Sequence, residues 1–425
     1  MIRAITPRVA PGDGRNFVYN SEAMLRFLTA GESHGRGLVV IVDGLPAGLP
    51  LDLDRLNALL RRRQGGYGRG RRMAIESDRA EVQSGVRHGR TTGGPVALLI
   101  TNRDWVNWQR TMHTGAEMPD DATGANRAPV VRPRPGHADL AGALKYEHDD
   151  VRDVLERASA RETAARVAAG GLAIQLLEAV GAAVTSHVTA IGELALASDR
   201  LVTFAEAQSL APDAPLRCVD GALEARMTAR IDQAKADGDT LGGTFEVIVT
   251  GLPVGLGSYV QWDRKLDGRL AQAVMSIPAI KGVGIGLGAA SAAAPGSRVH
   301  DEILPPERAG SRPVRPTNRA GGLEGGVTNG EDVRVVGHMK PIATLMQPLR
   351  SVDLMTLAPA PAAIERSDVC AVPAAAVVGE AMVALVLADA LLERFGADSL
   401  PLIHRHMAAT AAAMAARLTR APQVG

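Results

Sequence analysis

From Val377 to Leu392 the chain is apolar except at Glu380 and Asp389. This stretch is too short to span a bilayer, and two carboxylates break it. A helix that is apolar on every side has no face to offer water, so it belongs inside the protein. Pro373 near its start and Gly396 just past its end bound the predicted helix at Pro373–Phe395. A helix of this kind has to be covered by other elements.

The rest of the chain offers strands and helices to cover it. Leu25–Ala30 and Leu38–Val42 read as strands around the turn Gly31-Glu32-Ser33-His34-Gly35. Leu53–Arg63 has helical spacing with Asp52 as N-cap, and the glycine-rich loop Gln64–Gly70 follows it. Gly93–Thr101 and Gly243–Thr250 read as strands, Leu266–Ser276 as a helix, and 113–136 as a long polar loop. Ser159-Ala160-Arg161-Glu162 has the form of a capping box opening a helix that runs to about Val180, with Gly181 as its stop. Gly282–Gly288 and Gly321–Gly330 read as glycine-rich loops. Strands and helices do not alternate strictly, which disfavours a doubly wound parallel sheet. Antiparallel sheets packed on central helices, an α+β fold, fit the order better. With no repeat or linker in view, residues 24–400 are expected to form one domain, followed by a helical tail over 401–425. Residues 1–23 are aperiodic and rich in Pro and Gly, and are expected to be a disordered extension; a start at Met24 would explain them equally well.

Charge and composition exclude several functions. The 425 residues carry a net charge of +1 with 3% aromatics, which argues against a nucleic-acid coat or a base-stacking platform. Cys218 and Cys370 are the only cysteines, which fits a reducing cytoplasm and provides neither a disulfide framework nor a thiolate zinc site. No secretory signal and no membrane partner are expected. Only five of the 47 cations are lysines (Lys145, Lys235, Lys265, Lys281 and Lys340). Arginines crowd positions 61–72 (Arg61, Arg62, Arg63, Arg69, Arg71 and Arg72), a candidate anion site because guanidinium forks suit phosphate and carboxylate.

Several motifs carry chemistry. Gly31–Gly35 satisfies G-x-S-x-G, which would make Ser33 a hydrolase nucleophile, although that elbow requires a helix after the turn and a strand is expected here. His34 sits in the same turn, as a structural or a functional histidine. His137-Ala138-Asp139 resembles part of an iron-binding facial triad; a structural or acid–base role serves the pair equally, and Arg132 and Arg134 beside it favour an anionic ligand. There is no Gly-Lys pair for a Walker A loop, and Gly282–Gly288 does not follow G-x-G-x-x-G. The helix start at Ser159, flanked by Arg157 and Arg161, suits a phosphate, or is an ordinary cap. Asp368 is an eligible general base. These residues describe a binder of a small polyanion, with acid–base chemistry, and do not name a reaction.

Taken in order, the motifs go further. The segments Gly31–Gly35, Tyr67–Gly70, Arg132–Asp139, Arg157–Thr163, Gly251–Ser258, Gly321–Gly330, Lys340-Pro341 and Arg366-Ser367-Asp368 together resemble the chorismate synthases, closest to their actinobacterial branch. The resemblance implies a lyase that converts 5-enolpyruvylshikimate 3-phosphate to chorismate and phosphate by 1,4-elimination with reduced FMN. It also implies a β-α-β sandwich, a cytoplasmic homotetramer, and NADPH or an external flavin reductase as the source of electrons. By the same resemblance His34 would act as an acid beside the departing phosphate, His137 would sit at the flavin's N1/O2 edge, and Asp368 would relay a proton. FMN contacts would come from Arg157, Ala158, Ser159, Pro278, Ala279, Gly325, Lys340, Pro341, Ile342, Ala343, Thr344 and Arg366. Arg63 and Arg69 match NADPH positions, or would serve the substrate together with Ser33 and Arg134; no metal is implied. The chain departs from the family pattern at Gly284, where a glutamate is usual, at Leu287-Gly288-Ala289 in place of Asp-Gly-Phe, and at Ala343 in place of a common serine.

Overall fold

A computed structural model describes residues 24–70, 77–198, 200–306, 308, 310–365 and 367–419. The expected N-terminal extension lies outside the described residues, as do Arg71, Arg72 and Arg366. The apolar stretch forms the helix Val372–Phe395, buried at every position except Val386, Glu393 and Arg394, and closed by Gly396 at φ 90°. Its 24 residues would be long and apolar enough to cross a bilayer, but its most apolar window is 94% buried within the protein. Each charge on its buried face is matched by a covering element. Glu380 accepts from both Nη atoms of Arg62 (3.0 and 2.7 Å) and from Ser186 Oγ. Asp389 accepts from the Leu25 backbone N–H and from Arg269.

Two antiparallel sheets and several helices make up the rest of the fold. The first sheet orders Arg26–Ala30, Gly37–Asp43, Val96–Thr101 and Ala80–Ser84; the second orders Ile280–Ile285, Val333–Met339, Gly243–Thr250, Ala183–Ile191 and Leu194–Ala195. In the first, Leu38, Val40 and Val42 face the core while Val39 and Ile41 face out, the alternation of a half-covered strand. The helix Thr163–Ala179 packs on that sheet and on Val372–Phe395, which in turn packs on Ala183–Ile191, Gly243–Thr250 and Val333–Met339. The two helices meet closely at Gly170, where a Cβ would lie 2.2 Å from that of Ala381, so only glycine fits.

Three sequence expectations need correction. Of the expected loop Gly282–Gly288, residues 282–285 belong to the strand Ile280–Ile285, whose glycines need no side-chain packing to pair by backbone with Val333–Met339. Gly321–Gly330 holds a short hairpin, Leu323–Glu324 against Val327–Thr328. Only half of the capping box forms at Ser159. Its hydroxyl accepts from Arg161 N, but Glu162 turns away to Thr29 and Arg166, so a 3₁₀ turn, Ala160–Glu162, precedes the helix Thr163–Ala179. The other expected elements lie within a few residues of their observed bounds, whereas the helix Gly221–Ala236 and the strands Ala80–Ser84, Ala183–Ile191 and Val333–Met339 have no counterpart in the sequence reading; the C-terminal helix runs Leu400–Thr419.

Candidate active site

The turn Gly31–Gly35 is built around His34. Gly31 has φ 106°, and a Cβ there would approach Gly37 O to 2.3 Å. Asn102 clamps the turn from below, its Nδ2 donating to the carbonyls of Glu32, Ser33 and Gly35 at 3.1, 3.3 and 2.8 Å. Glu156, on the helix Arg152–Ala158, accepts from the His34 backbone N–H (2.8 Å) and takes ring Nδ1 at 2.8 and 3.0 Å. The imidazole stacks on Trp108 with centroids 3.7 Å apart and planes 18° from parallel. Arg127 lies 4.1 Å from the same indole, and Arg152 lies 5.5 Å from it. Ser33 is buried and its turn leads into the strand Gly37–Asp43, so the elbow geometry of a serine hydrolase is absent here.

Beneath the turn is a sealed platform. Arg161 closes on Asp78 at 2.6 and 2.7 Å and donates to Asn102 Oδ1 at 3.0 and 2.8 Å. Arg63 donates to Thr163 Oγ1 (2.9 Å), Ala160 O (3.0 Å) and, more loosely, Asp78. Burial lowers the Arg63 guanidinium to about 9 against the pull of Asp78. Thus Arg161 points inward, away from any ligand at the Ser159 cap. Among the described residues, the arginines of 61–72 do not form one patch either: Arg62 serves Glu380, Arg63 serves Asp78 and Arg69 serves Asp368. Arg69 Nη1 lies 2.6 Å from Asp368 Oδ2, and the Gly70 N–H meets Oδ1 at 2.7 Å.

His137 belongs to a second cluster. Its Nδ1 and the Arg134 guanidinium both engage Asp139, which is fully buried. Burial alone would raise the Asp139 carboxyl; hydrogen bonds from His137 and Arg134, with their charges, overcome it and hold the group far below the usual carboxylate range. Asp139 is therefore occupied as an anchor rather than presented as a metal ligand. Arg134 Nη1 reaches Thr344 Oγ1 (3.0 Å), Lys340 Nζ donates to Gly136 O (2.8 Å), and Lys340 N donates to Ala279 O (2.9 Å). Loops 132–139, 278–279 and 340–344 thus form one surface.

A polar chain joins the clusters. Arg157 donates to Gly31 O and to Thr29; Thr29 Oγ1 donates to Glu162; Arg166 bonds Glu162 and Ser276, two residues before Pro278. The Asp368 segment joins through Leu241, which donates to Val369 O, while Thr240 donates to Ile342 O. Gly325 stands apart, exposed in its hairpin turn with Tyr259 as its nearest neighbour, and His34 and His137 have different carboxylate partners, Glu156 and Asp139. Sequence reasoning missed Glu156, Trp108, Asn102 and Asp78. Two signals pointed to them: Glu156 immediately precedes the Arg157–Thr163 motif, and Trp108 is one of only three tryptophans.

Known proteins agree on where this arrangement belongs. The family model described as chorismate synthase matches residues 25–392. A chorismate synthase of Moorella thermoacetica is 59% identical over 91% of this chain and 98% of its own length. One from Solibacter usitatus is 56% identical over 89% and 96%. A crystal structure of chorismate synthase superposes with a TM-score of 0.73 at 40% identity, covering 92% of this chain and 98% of that one. With a match of this extent across sequence and fold, the chain belongs to the chorismate synthase family.

Proposed function

We propose that the chain converts 5-enolpyruvylshikimate 3-phosphate to chorismate and phosphate by 1,4-elimination. The observation that carries this reading is His34, held by Glu156 through Nδ1 so that Nε2 is left to face a ligand. A proton from Nε2 neutralises the phosphate oxygen as the C–O bond breaks and the electron pair moves onto oxygen. Asp368 accepts a proton at a carboxylate that Arg69 and Gly70 hold in place while leaving each oxygen a lone pair. Arg127 and Arg152 beside the His34 stack supply positive charge for an anionic substrate. Of the arginines expected at a reductant or substrate site, Arg63 is sealed into the platform, and Arg69 and Arg134 retain some exposure.

The residues fit a flavin phosphate. Lys340 and Lys281 lie close enough that burial and then Lys281 lower the Lys340 amine, and among the described residues neither lysine has a carboxylate partner. Two uncompensated amines beside Ala279, with the exposed Arg157 at the other end of the polar chain, form a cationic donor set of the kind FMN requires. When bound, reduced FMN supplies the electron density that an allylic phosphate needs to depart. His137, fixed by Asp139, lies in the loop bonded to Lys340 and would donate to the flavin's electron-rich edge.

The contacts of the two sheets with the two long helices support a β-α-β sandwich, with residues 24–400 as one catalytic domain and the helix that follows as its tail. The outward residues Leu28, Val39 and Ile41 on the first sheet support a homotetramer, and the composition supports a cytoplasmic location. Anaerobic phosphate release from the substrate with photoreduced FMN tests the reaction; its absence overturns the reading. Repeating the assay with NADPH as sole reductant decides between built-in flavin reduction and an external reductase.

A further inference from the structure

A histidine donates its proton in one direction only when both its tautomer and its ring plane are fixed. The His34 ring projects from the Gly31–Gly35 turn, and 11% of the side chain is exposed. Two residues outside the expected site restrict it. Glu156 is 1% exposed, and both its oxygens are directed at His34: Oε2 takes the backbone N–H at 2.8 Å, and Oε1 takes Nδ1 at 2.8 Å. The nearest cation, Arg152 Nη1, is 3.8 Å away, beyond hydrogen-bond reach, so His34 is the principal partner of a buried carboxylate. A carboxylate only accepts, so Nδ1 must carry the proton. The plane of the ring is set separately. Trp108 stacks on it at 3.7 Å and is itself pinned by an Nε1–H bond to Asp104 (3.1 Å), with Arg127 4.1 Å from the indole. The indole is thus held against both His34 and Arg127.

We propose that Glu156 and Trp108 are positioning residues for His34, the carboxylate fixing the proton on Nδ1 and the indole fixing the ring plane, so that when both nitrogens are protonated the proton transferred is the one on Nε2. The proposal rests on the reading of His34 as the acid for the phosphate leaving group. In the step, the Nε2–H bond breaks, the proton joins the phosphate oxygen, and the ring is left neutral with its Nδ1–H still bonded to Glu156. A proton from solvent restores Nε2. The carboxylate balances the ring's charge whenever both nitrogens are protonated.

The test uses full-length protein labelled with ¹⁵N-histidine, with His34 assigned by its loss in His34→Asn. Glu156→Gln keeps the side-chain volume and can still accept from the backbone N–H, but its amide can donate to Nδ1. We expect neutral His34 to be the Nδ1–H tautomer in the parent protein and to move to Nε2–H in Glu156→Gln. We expect kcat to fall on the order of 10²-fold with KM within about threefold of the parent, and Glu156→Asp to recover part of the loss. Trp108→Phe, which keeps a ring to stack on, should recover most of the rate lost in Trp108→Leu. An Nε2–H tautomer in the parent, or an unchanged tautomer and rate in a folded Glu156→Gln protein, overturns the proposal. The tautomer is read without turnover, so a parent protein that releases no phosphate overturns the proposed reaction while the positioning claim is still decided by the spectra.

Discussion

Arg161 and Asp78 form a pair almost wholly removed from solvent, with Nη1 at 2.6 and 2.7 Å from the two carboxylate oxygens and side-chain exposures of 2% and 0%. The same carboxylate faces Arg63, and Arg161 also holds Asn102, which clamps the His34 turn. The pair is therefore the foundation of the turn rather than a ligand site.

Replacing Asp78 with alanine would leave two buried guanidinium groups without their carboxylate. Removing one partner of a buried pair costs about 3–5 kcal/mol, since the remaining charge stays desolvated. Asp78→Ala should lower the denaturant midpoint by a corresponding amount, with Arg161→Ala giving a loss of similar size. A stability within about 1 kcal/mol of the parent, the scale of a surface pair, would show that the platform is not sealed in solution.

The contrast between the core and the site explains how much of the sequence was readable. The helix Val372–Phe395 was legible because a segment apolar on all sides has one solution, and its ends carry Pro373 and Gly396. Ile280–Ile285 was misread because glycine gives no alternation, and its pairing with Val333–Met339 depends on backbone distant in the chain. The partners of the motif residues were hidden for a similar reason. Glu156 is 122 residues from His34, and Asp368 is 299 from Arg69, so neither pairing leaves a local pattern. Arg69, far from it in the chain, is the described ion-pair partner of Asp368. The motifs name candidate residues, and the tertiary structure decides which of them point outward.

Gly31 tests whether the turn conformation is required. At φ 106°, with Gly37 O only 2.3 Å from where a Cβ would stand, alanine cannot be accommodated without moving the backbone that carries Ser33 and His34. Gly31→Ala should fold with reduced stability and lose most of its activity, and a crystal structure should show the His34–Glu156 bond broken. Activity at the parent level would mean that the turn tolerates displacement.

Asp139 makes a prediction about acid stability. Its carboxyl is held below its ordinary value by His137 and Arg134 despite burial, so it binds fewer protons folded than unfolded. The stability it contributes is complete above the unfolded value, about pH 4, and is lost as pH falls through the folded one. Asp139→Asn should therefore be less stable than the parent at pH 7, and the gap between the two proteins should narrow below about pH 4. Denaturant melts at a series of pH values measure both; a gap that does not change with pH would dissociate Asp139 from that linkage.

Lys340 tests the flavin reading independently of turnover. Its amine and that of Lys281 repel one another, and an anion between them relieves that repulsion. Lys340→Met keeps the length of the stem but removes the charge. It should weaken binding of FMN by about tenfold, the scale of one charge-assisted bond at roughly 1.5 kcal/mol, while riboflavin, which lacks the phosphate, should change much less. Flavin fluorescence titration reads both, and equal losses for the two ligands would place Lys340 away from the phosphate.

The roles of His34 and Asp368 separate in a pair of substitutions. On the proposed roles, His34→Ala removes the acid for the leaving group but leaves Trp108 and Glu156 in place; general acid catalysis is worth about 10²–10⁴-fold, and kcat should fall by that order. Asp368→Asn keeps the shape and the Gly70 N–H bond while abolishing the carboxylate that receives Arg69, and a loss of similar order is expected. A better leaving group should restore activity only to His34→Ala, because in the proposed division the acid assists departure of phosphate whereas Asp368 handles a proton elsewhere in the reaction. Thiophosphate, a weaker base than phosphate at its departing end, provides that comparison. If the thiophosphate substrate rescues both variants equally, or neither variant is impaired, the two residues do not divide the chemistry in this way.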